Sequence, residues 1–299
     1  MEAKYDFSKK FQDQVLKCSS CGFCIAVCPV FGLTKRPAYK ARGKKIILKE
    51  VMDGTIELSD ELIETLFQCT TCASCTEQCP SGVDPPEIIK QVRKDMVHIG
   101  SCHPAFKGMN DVLRKHPNIY AEDAPEDFGR ERNKKADVVF FVGCVGAYRE
   151  DEATMATLDL LDRLKVDYTL IDEVCCSGVL EDVGYEINAD LARKNIELIL
   201  ATGAKTIVTG CPYCSRTFNN KEPYQALRSE GRQVIHISEF LKDFDFAVMT
   251  EKRVTYHDPC DLGRHCHIYE APREIIGKVA PDFVELEHNR VNALCCGAG

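Results

Sequence analysis

The stretch CTTCASCTEQCPSG, residues 69–82, puts four cysteines into eleven positions and closes them with a proline. An earlier stretch, CSSCGFCIAVCP at residues 18–29, has the same form, and both read C-x2-C-x2-C-x3-C-P. These eight thiols are fewer than half of the 18 cysteines in a 299-residue chain. The compartment decides what so many thiols are for. The opening MEAKYDFSKKFQDQVLK is polar and lacks the apolar core of a signal peptide, so secretion and a disulfide framework are not expected. A chain long enough for two domains with cores of their own also has little need of staples. In a reducing cytosol, clustered cysteines point to metal or redox chemistry.

The net charge of −8 argues against nucleic acid, and equally against a bare anionic membrane surface. The longest strongly apolar run, ADVVFFVGCVGAY at 136–148, is too short to span a bilayer. The expectation is a cytoplasmic protein with no transmembrane segment of its own, peripheral at the inner face of a membrane only through a partner.

Two kinds of pattern divide the chain. Residues 1–17 read as a short amphipathic helix leading into the first cysteine run. Between the runs, Ile46, Ile47 and Val51, then Leu62, Ile63 and Leu66, recur at helical spacing, with Ser59 placed to cap the second group. PPEIIKQVRKDMV, 85–97, is a helix opened by proline. Residues 1–105 therefore form a mostly helical domain, followed by a polar link, 114–137. From residue 138 short β-branched runs alternate with amphipathic helices. DVVFFVG, YTLID, KTIVTG, QVIHISEF and RVTYHD read as strands, and EDEATMATLDLLDRLKV and INADLARKNIELILATGA as helices. Such alternation implies right-handed crossovers and a mostly parallel sheet. The fold class is α+β multidomain, an α-helical domain followed by an α/β domain at 136–245 and a partial second copy of it at 250–299.

The two runs have the bacterial ferredoxin spacing, which has a physical reason. Three thiolates two residues apart let one loop wrap three corners of an iron–sulfur cube, and the fourth, after a longer step and a proline, is aimed at the other cube. Cys18, Cys21, Cys24 and Cys79 are thus expected on one 4Fe-4S cubane, and Cys69, Cys72, Cys75 and Cys28 on another. Zinc instead takes C-x2-C pairs widely separated in sequence. The spacer between the runs is long for a compact ferredoxin and resembles the helical ferredoxin domains of respiratory-type iron–sulfur subunits. The basic residues Lys35, Arg36, Lys40, Arg42, Lys44, Lys45 and Lys49 read first as a solvated helix face and second as a docking face for an electron donor.

In the second domain Cys144 follows one strand, Cys175 and Cys176 the next, and Cys211 and Cys214 a third. Carboxyl ends of parallel strands share one edge, where ligands gather, so five thiols should meet in one crevice, too many for a tetrahedral zinc. Cys260, Cys295 and Cys296 repeat part of this pattern, and the chain ends three residues later. An incomplete repeat of this kind predicts a chain truncated from a longer one.

The whole pattern, from about residue 15 onward, resembles the iron–sulfur subunit of heterodisulfide reductase in which a two-cubane domain is joined to paired cysteine-rich CCG domains. Related architecture occurs in iron–sulfur subunits of glycolate oxidase, lactate utilisation, anaerobic glycerol-3-phosphate dehydrogenase and sulfate-reducer membrane complexes. The resemblance implies a noncubane four-iron cluster on Cys144, Cys175, Cys176, Cys211 and Cys214, with disulfide cleavage there. Cys260, Cys295 and Cys296 match only part of a second set, so a second such cluster would need a longer chain. One departure is CCSG at 175–178 where the family pattern has CCG.

Other readings of these thiols are weaker. GCPYC, 210–214, is also a glutaredoxin string, but it lies far from the start of the domain. Cys175 and Cys176 could form a vicinal disulfide. Cys102 and Cys266 fit no pattern, and RHCH, 264–267, reads as surface or pocket lining. His257 and Arg264, which flank Cys260, read as structural. With no G-x-G-x-x-G after a strand, any flavin belongs to another subunit. The expected function is an oxygen-sensitive oxidoreductase subunit taking electrons from a membrane cytochrome b or a flavoprotein. They pass through the cubanes to a disulfide or, alternatively, to a quinone-linked carrier.

Overall fold

The computed structural model describes residues 9–123, 128–229 and 231–297. Helix α1 (Lys9–Leu16) is the described part of the helix expected over 1–17, residues 1–8 lying outside the described residues. Then follow α2 (Phe23–Ala26), α3 (Pro29–Thr34), α4 (Ala41–Met52), α5 (Asp60–Phe67), α6 (Ser74–Glu77) and α7 (Pro85–His98). Their starts are written in the sequence. Pro29 and Pro85 open α3 and α7, where a missing N–H costs nothing. Ser59 caps α5 by accepting the Leu62 N–H at 3.3 Å, and Asp60 and Glu61 sit in the first turn against the helix dipole. Ile88, Ile89, Val92 and Met96 make one face of α7 and bury against Leu48, Val51, Leu66 and Phe67. Each such side chain contributes roughly 1.5–3 kcal/mol of hydrophobic stabilisation.

Helix α8 (Pro104–Lys115) touches both halves of the molecule. Phe106 packs on the helical core, while Met109 and Leu113 pack with Cys175 and Leu180. The polar link beyond it is tied to the second domain. The Cys175 N–H donates to Pro117 O at 2.7 Å, and Asn118 Nδ2 donates to the Tyr148 hydroxyl. Residues 124–127 of the link lie outside the described residues.

Four parallel strands form the sheet, β1 (Val138–Phe141), β2 (Tyr168–Thr169), β3 (Thr206–Thr209) and β4 (Gln233–His236), in the order β2-β1-β3-β4. Val138 pairs with Tyr168 on one side and Thr206 on the other, and Thr209 with His236. The helices on its faces are α9 (Gly143–Tyr148), α10 (Asp151–Arg163), α11 (Val179–Asp182), α12 (Ala189–Thr202), α13 (Pro212–Asn220), α14 (Gln225–Ser229) and α15 (Ile237–Leu241). Val139, Phe141 and Ile207 point into a core with Ile199, Phe218 and Tyr224, and Val138, Phe140 and Val208 into another with Leu158, Leu161 and Leu241. Both faces are covered, which is why β1 reads as an unbroken apolar run.

Two strand expectations are corrected. QVIHISEF breaks at His236, whose ring accepts the Ser238 N–H while the Glu239 carboxylate accepts the His236 N–H. This reciprocal cap starts α15 where a strand was expected to continue. RVTYHD is not a strand but a single parallel bridge, Val254 to Phe283. It has one neighbouring segment, and pairing stops at the Val254 N–H to Asp282 O and Val284 N–H to Val254 O bonds. That bridge still repeats the β1–β2 pairing, with α16 (Glu270–Val279) between its two sides as α10 lies between β1 and β2.

Candidate iron–sulfur centres

All eight cysteines of the two N-terminal runs line one cavity. The loops share a backbone signature. Ser20 (φ 59°) and Gly22 (φ 91°) in the first run, and Thr71 (φ 52°) and Ala73 (φ 62°) in the second, hold the left-handed conformation at matching positions. Alternating right- and left-handed residues turn successive N–H groups into one concavity, which suits an anionic cluster. Three of the four are not glycine, and each costs about 1–3 kcal/mol unless its surroundings impose it. Sulfur donors plus inward N–H groups fit iron–sulfur clusters. Among the described residues no three His, Cys, Asp or Glu side chains close around a single ion.

Burial lifts the Cys75 thiol well above its ordinary value, with Cys69 of its own run and both Cys28 and Cys24 of the first adding to it, so thiols of the two runs face each other across the cavity. Cys72 is turned differently. It is buried and in hydrogen-bond contact with Cys295, which also contacts Cys260.

The surroundings of the second run were missed in the sequence. Arg93, 1% exposed, donates from Nη2 to Cys69 O at 2.6 Å and to Phe67 O at 2.9 Å. Arg264, 3% exposed, donates from Nε to Cys72 O and from Nη1 to Ala293 O, each at 2.6 Å. His265 Nε2 meets Thr71 O at 2.9 Å, and burial pushes its ring down to about 4. The surface reading of RHCH is therefore corrected, because its Arg264 and His265 are packed onto a cysteine loop almost two hundred residues away. Lys44 departs from the solvated face expected of its stretch. It is buried, and burial pulls its ammonium below the ordinary lysine value.

In the sheet domain the switch point lies between β1 and β3, where open α/β sheets gather ligands. Cys144 lies just past β1 in α9, and Cys211 is the N-cap of α13, with Cys214 in its first turn. Gly143 (φ 81°) makes the close turn possible, since a Cβ there would stand 3.2 Å from both Cys211 Cβ and Cys214 Sγ. Cys175 and Cys176 arrive on the loop after β2. Cys214 Sγ donates to Cys176 Sγ at 3.5 Å, and Cys144 is near enough to Cys175, and Cys211 to Cys214, to act on each other's protonation. Contact with Cys175 and Cys214 favours thiolate at Cys176, whereas contact with Cys144 and Cys176 raises Cys175.

The CCSG departure has a backbone explanation. Ser177 (φ 51°) takes the left-handed conformation that Gly297 (φ 87°) takes after Cys295 and Cys296. Their N–H groups make the same bond, Ser177 to Cys175 Sγ at 3.3 Å and Gly297 to Cys295 Sγ at 3.4 Å. Of the remaining residues, His257 Nε2 meets Leu294 O at 2.8 Å, and burial pushes the Cys266 thiol up to about 12. Cys102 is half-buried and donates to His103 O.

A cavity opens beside Cys144 and Cys175, lined also by Arg132, Lys194, Tyr148 and Glu173. Glu173 was not foreseen. Its carboxylate accepts the Val142 N–H at 2.9 Å and the Gly143 N–H at 2.6 Å, holding the turn before Cys144, and burial pushes its carboxyl up to about 8. A lone glutamate two residues before a cysteine pair gives no signal in the sequence.

Residues 14–83 match the 4Fe-4S dicluster domain family, and residues 138–219 and 254–299 the cysteine-rich CCG domain family. The chain is 29% identical to a subunit of the dihydromethanophenazine:CoB–CoM heterodisulfide reductase of Methanosarcina acetivorans, over 94% of this chain and 77% of that one. It is 30% identical to a subunit of the fumarate reductase (CoM/CoB) of Methanothermobacter marburgensis, over 94% of this chain and 58% of that one. It is 25% identical to an EtfAB:quinone oxidoreductase of Syntrophomonas wolfei, over 79% of this chain and 36% of that one. No solved structure matches it. Among the described residues no helix is long and apolar enough to cross a membrane. With two cysteine runs around one cavity and a CCG thiol set at the switch point of a parallel sheet, the chain is similar to the heterodisulfide reductase-like iron–sulfur proteins in carrying a dicluster domain followed by CCG domains.

Proposed function

We propose that this oxidoreductase subunit takes single electrons onto two cubanes of the N-terminal domain and delivers them to a noncubane cluster on the first CCG set, where a disulfide is reduced. Cys18, Cys21, Cys24 and Cys79 would hold one cubane, Cys69, Cys72, Cys75 and Cys28 the other, and Cys144, Cys175, Cys176, Cys211 and Cys214 the third cluster. The clusters supply one-electron storage, so two electrons and two protons turn a disulfide into two thiols. The observation that carries the reading is the gathering of five thiols at the sheet's switch point, beside a cavity with Arg132 and Lys194 in its wall. Those cations suit a disulfide bearing anionic groups. Glu173 holds the Cys144 turn, and Tyr148 offers a hydroxyl in the same wall.

The donor would be a membrane cytochrome b or a flavoprotein, with the subunit cytoplasmic and held at the membrane through that partner. Similarity to an EtfAB:quinone oxidoreductase favours a second reading, electron transfer between a flavoprotein dehydrogenase and a quinone. The test is anaerobic reconstitution of the full chain, which should bind about twelve iron. Replacing Cys175 and Cys176 with alanine should leave about eight and abolish disulfide reduction. Twelve iron retained in that variant would place the third cluster elsewhere.

A further inference from the structure

Between the N-terminal domain and the CCG set lies a buried charge cluster that neither the cysteine pattern nor the family resemblance assigns. Its centre is Asp182, the last residue of α11 and 5% exposed. Asp182 Oδ2 accepts the Tyr213 hydroxyl at 2.5 Å, Arg216 Nη1 at 3.1 Å and the Thr71 hydroxyl at 3.4 Å. Oδ1 accepts Arg216 Nη2 at 3.3 Å and stands 3.5 Å from Lys90 Nζ. Its backbone carbonyl accepts Arg93 Nη1 at 2.6 Å. Arg216 continues to Asp261 Oδ1 at 2.8 Å, the residue after Cys260.

The placement of these partners is specific. Thr71 lies between Cys69 and Cys72, and Tyr213 between Cys211 and Cys214. One carboxylate thus binds the inside of two C-x2-C loops that belong to different domains. Burial alone would raise its carboxyl, but Arg216 and Lys90 outweigh burial and hold it below the usual carboxylate range, so the charge is fixed.

We propose that Asp182 is a positioning residue that electrostatically couples the second cysteine run to the first CCG set, its one negative charge setting the ease of reduction at both. The inference rests on the ligand assignments above. A fixed charge in a low-dielectric interior acts over both loops at once, and hydrogen bonds reaching the loops that hold a cluster are a recognised lever on its potential. A purely mechanical salt bridge would hold the domains together without setting either potential.

The test is redox titration of the reconstituted full chain, followed by the spectra of each cluster. Asp182→Asn keeps the shape and removes the charge while Arg216 and Lys90 remain. It should ease reduction at both centres, by about tenfold each, or about 59 mV for one electron. A variant whose two centres both stay within about twofold of the parent, or in which only one moves, overturns the coupling. If Asp182→Asn does not accumulate as folded protein, Tyr213→Phe decides. Through the shared carboxylate it should shift the second-run centre by more than about twofold, and an unmoved second-run signal overturns the proposal. Failure of the underlying assignment is seen separately, because the unsubstituted chain would then lack one of the two signals.

Discussion

The two ferredoxin-type runs share one spacing and one backbone signature but live in different surroundings. In the first, Cys21, Ser19, Ser20 and Phe23 are exposed, and among the described residues no buried arginine side chain donates to its carbonyls. In the second, Cys72 and Ala73 are buried, and Arg93, Arg264 and His265 grip the carbonyls of Cys69, Cys72 and Thr71. The same thiol geometry therefore serves as an accessible face in one copy and an internal joint in the other. Local sequence sets the loop, and the rest of the chain sets what the loop is for.

The largest effect should come from the residue that ties the runs together. Cys28→Ser removes the first-run thiol proposed above to ligate the second-run centre. It should cost the centre of Cys69, Cys72 and Cys75, about four iron, and leave the centre of Cys18, Cys21 and Cys24 in place. Iron analysis with spectroscopy of each centre checks this. Loss of the first-run signal instead would show that each run ligates its own cluster.

Arg264 offers a sharper cut. Arg264→Met keeps much of the side chain's volume but strips Cys72 O and Ala293 O of their charged donor. At about 1.5–3 kcal/mol for each hydrogen bond to a charged group, stability should fall by about 3–6 kcal/mol. The loss should appear as faster hydrogen exchange at residues 69–75 and 291–295, with 18–24 unchanged. Equal loosening of both runs would mean the asymmetry between them is only one of exposure.

How much of this was legible follows from the range of each interaction. The eight ferredoxin thiols are marked by their close spacing, and the CCG thiols by following successive strands whose carboxyl ends share one edge. The buried strand VVFF and the Ser59 cap were legible for the same local reason. The grip of Arg264 on Cys72 was not, and neither was the meeting of Thr71 and Tyr213 on Asp182. Each joins residues far apart in sequence that carry no spacing signal. The failed strand at RVTYHD is similar, since its composition suits a strand but pairing depends on what lies alongside.

The smallest effect is a control on the comparison, placed in the sheet away from both runs. His236 ends β4 and is 8% exposed, with Nδ1 taken by the cap of α15 and Nε2 buried without a hydrogen-bond partner. Burial pushes its ring from 6.5 down to about 4. Because the folded value lies below the ordinary one, the unfolded chain binds the proton first as pH falls. The contribution is therefore complete above about pH 6.5, declines through pH 5 and is exhausted near pH 4. The loss by pH 5 is about 2 kcal/mol. His236→Asn retains a good helix cap and removes the titration. Urea unfolding of both proteins at pH 7 and pH 5 should show the variant losing about 2 kcal/mol less than the parent between the two, with the signals of both runs at pH 7 unaltered. Equal acid losses in parent and variant would mean that His236 is already charged in the folded sheet. A change in either run's signal would mean that the sheet and the helical domain do not respond independently.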